Sequence, residues 1–193
     1  MMVARWFRGS GRERGAVMVE MALVLPLLLL LVVGSIEFGL LFHERLTIAS
    51  AASSAARTGA TMGDRDEADY AILQALEAGL YEQVDTSVII RVEIFQANPI
   101  TGTKQGPSDD YNYIGGSGCK WNPCPDLAAD GPTGSWLPSS RDTVLDPTGG
   151  GLDVLGVEIT YHHTPVSGMI PGLDRDLTER ALVRLEPSAF GSS

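Results

Sequence analysis

Of everything in this chain, residues 21–36 leave the fewest structural options. They carry no charge and include the run "LLLLLVV" from Leu27 to Val33. With residues 38–42 the apolar stretch reaches 22 positions, interrupted by Glu37 alone. A helix rising about 1.5 Å per residue spans roughly 33 Å over that length. Bilayer hydrocarbon is about 30 Å thick. One crossing fits, and no second run of this length follows.

The flanks of the run are asymmetric. Arg5, Arg8, Arg12 and Arg14 precede it, against the single acid Glu13. Basic residues are retained on the cytoplasmic side, so the short tail is expected inside and the rest of the chain outside. From Asp64 onward there are 20 acidic and 8 basic residues. That field repels nucleic acid, whose phosphates need cationic partners, and disfavours lying flat on anionic lipid. The total of 193 residues leaves room for one small extramembrane domain.

The pattern beyond the run divides the chain into residues 1–15, a loose basic leader; 16–60, a membrane-spanning helix that continues past the bilayer; and 61–193, an extracytoplasmic α+β domain. Pro26 removes one backbone donor, which membrane helices tolerate. After Phe42 the segment "HERLTIASAASSAARTGATMG" keeps helical character to about Arg57. Ala49, Ala52 and Ala56 form a narrow stripe there. Small residues permit close helix approach, and the stripe suits packing within its own domain as well as a face between subunits. Ala68, Ile72, Leu76 and Leu80 predict an amphipathic helix over 66–82.

Three segments alternate as strands. In "SVIIRVEIFQA", Val88, Ile90, Val92 and Ile94 share a face. In "LDVLGVEITYHH", Val157, Ile159 and Tyr161 do, and in "TERALVRLEP", Ala181, Val183 and Leu185 do. A small antiparallel sheet with one packed helix follows, carrying a long loop over 98–151 that is rich in Gly, Pro, Ser, Asn and Asp and shows little periodicity. A loop of that length is either a functional surface or partly disordered. Its "CKWNPC" places Cys119 and Cys124 outside the membrane, where a disulfide is the default over a redox pair or a zinc site.

Catalytic constellations do not emerge from the residue pattern. His162 and His163 are adjacent on a strand and so face opposite ways, one toward the core and one toward water. Neither a G-x-S-x-G elbow nor a phosphate loop is present. Asp109, Asp110, Asp126 and Asp130 offer oxygens of the kind calcium takes, but without EF-hand spacing; a solvated acidic loop is the expected reading. No cofactor or metal is expected, and the chain does not read as an enzyme.

Two acids therefore stand out, Glu20 at the inner mouth of the apolar run and Glu37 near its outer end. An unpartnered charge in hydrocarbon is costly. A cut after Gly15 would give Ala16 a new ammonium about one helical turn from Glu20. In a helical array the ammonium of one subunit then meets the Glu20 carboxylate of another.

The stretch "RGAVMVEMALVLPLLLLLVVGSIEFG" resembles the amino-terminal signature of TadE-like proteins, the pseudopilins of tight-adherence (Flp) pilus systems, and more broadly the class III signal of type IV prepilins. Gly15, Ala16, Val19, Glu20, Ala22, Pro26, Glu37 and Gly39 match that pattern over residues 12–63. The closing "LTERALVRLEP" is also similar. The resemblance implies a non-enzymatic minor pilin or pseudopilin. A prepilin peptidase would trim it on the cytoplasmic side between Gly15 and Ala16. It would sit in the inner membrane through one span, with other pilins and the assembly platform as partners. Met21 departs from the tyrosine that follows the glutamate in major Flp pilins, and the large outer domain also favours a minor component. The alternatives are a single-pass anchored binding domain with the long loop as its contact surface, and a secreted protein cut near "ASAASS".

Overall fold

A computed structural model describes residues 10–80, 84–125, 134–145, 151–170 and 172–187. Among these residues the fold comprises two α-helices, two short 3-10 turns and a five-stranded sheet. Helix α1, Ser10–Met62, runs unbroken through Pro26. It starts inside the segment expected to be loose and ends slightly beyond the expected limit. It stops where Gly63 adopts φ +60° and its N–H returns to the Gly59 carbonyl at 3.0 Å, the left-handed ending that glycine tolerates. Helix α2, Ala68–Leu80, lies within the expected span.

The strands are β1 (Ile89–Ala97), β2 (Lys104–Tyr113), β3 (Trp121–Asn122), β4 (Val154–His163) and β5 (Arg175–Arg184). They are antiparallel throughout, in the order β3-β2-β1-β4-β5. The long loop expected over 98–151 therefore holds a full strand and a short one. "KQGPSDDYNY" does not read as alternating because a glycine, a proline and a pair of aspartates obscure its pattern; Tyr111, fully buried, and Tyr113, half-buried against Trp121, supply its large apolar contacts. Asp126 and Asp130 lie outside the described residues.

One sheet face packs on α2 and the outer half of α1. The core joins Ile72, Leu73, Leu76 and Leu80 to Val92, Ile94, Leu155, Val157, Ile159 and Tyr161. Val92 and Ile94 point inward as their alternation predicts. Ile90 does not: a register shift between Ile89 and Arg91 turns Ile89 into the core and leaves Ile90 outside, since one inserted residue reverses side-chain direction. On the opposite face Phe95 is nonetheless buried. It lies over its cross-strand partner Gly156, where a Cβ would overlap the ring, with the Arg180 guanidinium 5.1 Å from the ring centre. Arg180 also pairs with Glu158, and Arg91 with Asp110, so that this face is held by polar cross-strand pairs.

The alanine stripe has its partner inside the chain. Ala52 and Ala56 are buried in the core together with Ala51, Ala55 and Ala60, whereas Ala49 is half-buried at its edge. A Cβ on Gly79 would come within 3.0 Å of the Ala51 Cβ, so α1 and α2 approach closely because both are small there. Ala52→Leu is accordingly expected to cost roughly 1–3 kcal/mol by overpacking, read as a lowered urea midpoint of the full chain in detergent micelles.

Candidate functional site

Helix α1 has two unlike halves. From Gly15 to Val32 every residue is exposed, among them Glu20, Pro26 and thirteen large apolar side chains from Val17 to Val32. No residue in the most apolar window of the helix is buried within the molecule. Such a surface is incompatible with water on every side and fits a lipid span. Gly15 and Ala16 lie in continuous helix, so Ala16 and Glu20 stand one turn apart on one face.

The outer half of α1 serves as a rail for the β4–β5 hairpin. Glu37, 2% exposed, accepts backbone N–H bonds from Val166, at 3.0 Å, and from Ser167 in the hairpin turn. About two turns later Glu44 contacts Nδ1 of His163, and Arg45 pairs with Glu179 on β5. At the far end the Glu186 N–H reaches the Ala60 carbonyl at 3.0 Å. The hairpin thus runs along α1 with its turn toward the apolar half. Burial, with Glu179 and Glu44 nearby, pushes the Tyr161 hydroxyl up to about 12. The two histidines divide as expected. His163 is buried, whereas His162 is open and lies between Asp176, at 2.7 Å, and Asp174, at 2.9 Å. The hydrogen bond with Asp176 holds the His162 imidazole above its usual range.

A second polar cluster fixes the long connection to α2. The Arg141 side chain is fully buried, pairs with Asp69, and lies 4.6 Å over the Trp136 ring. Tyr111 donates its hydroxyl to the other Asp69 oxygen at 2.8 Å. Asp109 receives the Trp136 N–H at 3.1 Å and that of Ser135. Burial pushes the Asp69 carboxyl up, opposed by Arg141 and Tyr111. Nearby, Cys119 and Cys124 form a disulfide, and Glu77 on α2 receives Trp121 Nε1–H at 2.7 Å and Lys120 at 2.8 Å.

Of the residues singled out from sequence, Gly15, Ala16, Glu20 and Pro26 share the bare half of α1, while Glu37 sits at the junction with the sheet domain. The partner of Glu37 was missed. Its one sequence signal is the absence of charge from Thr164 to Leu173, just before a strand dense in charge. Asp109 and Asp110 are strand residues occupied by backbone amides and Arg91, and among the described residues no group of three or more His, Cys, Asp or Glu side chains is placed to hold a metal.

Among the described residues, these features define a membrane-anchored protein in which one apolar helix long enough to cross a bilayer carries an α+β domain. The family model of TadE-like proteins matches residues 15–57, the bare half of α1 and most of its rail. That match supports classification of the chain in the TadE-like family through its stalk. No curated protein and no solved structure matches the chain.

Proposed function

We propose that the chain is a minor pilin or pseudopilin that supports assembly of a tight-adherence (Flp) pilus, after a prepilin peptidase removes residues 1–15. The observation that carries this reading is the TadE-like stalk itself: a wholly exposed apolar half-helix with Glu20 one turn beyond the Gly15–Ala16 bond. Trimming leaves an ammonium at Ala16 and makes Glu20 its complement on a neighbouring subunit. In hydrocarbon that pairing removes two isolated charges at once and sets the axial offset between helices. The sheet domain, held to α1 from Glu37 to Ala60, then travels as one rigid head outside the membrane. Partners in this reading are the peptidase, other pilins or pseudopilins, and the inner-membrane assembly platform.

Gly15 tests the processing step. Gly15→Leu places a bulky side chain at the proposed cut. The expected outcome is a chain that still enters the membrane, keeps its arginine leader by intact mass, and no longer supports piliation. A Gly15→Leu chain that retains its leader and supports normal piliation would instead favour an anchored binding domain.

A further inference from the structure

We propose that the turn joining β4 and β5 is a second membrane contact, seated in the outer leaflet beside α1. The turn carries no charge from Thr164 to Leu173. Val166 is 79% exposed and Met169 64%, although both belong to a segment that folds directly against the helix. Glu37 takes the Val166 and Ser167 amides, and the Met169 amide reaches Ser167 Oγ at 3.2 Å. Three amides of the turn are thus satisfied without water, which lowers the cost of placing this backbone against lipid.

Position along α1 identifies the occupant. A Cβ on Gly34 would lie 3.8 Å from Ile170 Cδ1, so the turn reaches the level of Gly34. That residue is roughly 27 Å from Ala16 and roughly 21 Å from Glu20 along the helix, at about 1.5 Å per residue. Both values fall within a hydrocarbon layer of about 30 Å, whichever residue marks its inner edge. The exposed apolar side chains of the turn therefore meet acyl chains, and the carboxylate that would be most costly there is occupied by the turn's own amides. The opposite end of the sheet provides the contrast. Ile100, 92% exposed in the β1–β2 turn, lies beyond the Ala97–Val154 pair and away from the membrane end of α1. This inference rests on α1 crossing the bilayer and is independent of any role in a pilus.

The test uses the full chain in phosphatidylcholine vesicles. Both native cysteines are engaged in the disulfide, so Val166→Cys, Met169→Cys, Ile100→Cys and Leu28→Cys each offer one thiol for an environment-sensitive fluorophore. Nitroxide lipids labelled high on the acyl chain are expected to quench the labels at 166 and 169, whose emission is also blue-shifted relative to the label at 100. The label at 28 is expected to respond to nitroxide near the chain end. Quenching at 28 combined with labels at 166 and 169 that behave like the one at 100 overturns the turn's membrane contact and leaves the anchor standing. No quenching at 28 overturns both.

Discussion

Arg141→Ala is expected to lower the unfolding free energy by about 3–5 kcal/mol, the usual consequence of removing one partner from a buried ion pair. The guanidinium is wholly inside the domain, and its removal leaves the Asp69 carboxylate with Tyr111 as its remaining side-chain donor. It also removes the cation over Trp136, so the connection that returns to β4 loses its bolt to α2. The loss should depend on pH with a definite sign. Asp69 is already pushed up by burial, and losing Arg141 raises it further. A folded-state carboxyl above its unfolded value favours the protonated fold. The deficit of the variant relative to the parent is therefore smallest while both carboxyls are protonated, and it grows above the ordinary carboxylate range, as pH rises through the raised parental value toward the still higher one of the variant. Asp69→Leu combined with Arg141→Met should recover most of the stability, because a well-packed apolar pair avoids the desolvation of both ions. Urea titrations of the full chain in detergent, followed by tryptophan emission, check each point; a deficit below about 1 kcal/mol in Arg141→Ala, the range of an exposed pair, would contradict this account of the cluster.

Glu20→Ala is expected to leave membrane insertion intact and to reduce assembly at least about tenfold. Alanine removes a carboxylate from an otherwise uncharged helix face, which makes insertion no harder. On the proposed assembly reading it also deletes the counter-charge of the Ala16 ammonium on the adjacent subunit. A charge-assisted contact contributes about 1.5–3 kcal/mol, and each 1.4 kcal/mol is about a factor of ten in an equilibrium constant. Because Glu20 touches no other part of the domain, the substitution should leave the urea midpoint unchanged, and this separates an assembly defect from a folding defect. Sheared-pilus yield and membrane abundance, measured side by side, read the two arms. Wild-type pilus yield from the alanine chain would remove Glu20 from its assigned role.

Much of the architecture was legible because its signals are local. The apolar run, the four-residue spacing of Ala68 to Leu80, and the alternation in β1, β4 and β5 each reflect one face turned to one environment. Strand β2 was hidden because Gly106, Pro107 and the paired aspartates break its alternation, leaving Tyr111 and Tyr113 as its large apolar residues at one end. The inversion of Ile89 and Ile90 was hidden for a related reason, since a bulge is decided by pairing with β4. Ala52 and Ala56 admitted two partners on sequence alone; the distance between α1 and α2 decides for their own domain. At the candidate site, the stalk residues could be named from sequence, but their tertiary relations could not. Nothing local joins Glu37 to Val166 or Asp69 to Arg141. Arg141 is the only arginine between Arg91 and Arg175, a weak sign of burial that becomes meaningful once the acid on α2 faces it.

A stalk that is trimmed and then kept is what assembly requires in the proposed function. Intact-mass analysis of the protein from its native membrane, in cells with a working processing enzyme, is the most direct measurement. It is expected to give a chain that begins at Ala16 and retains the apolar helix with the disulfide closed. A mass that still includes the arginine-rich leader, or a product that begins beyond the helix, would contradict it.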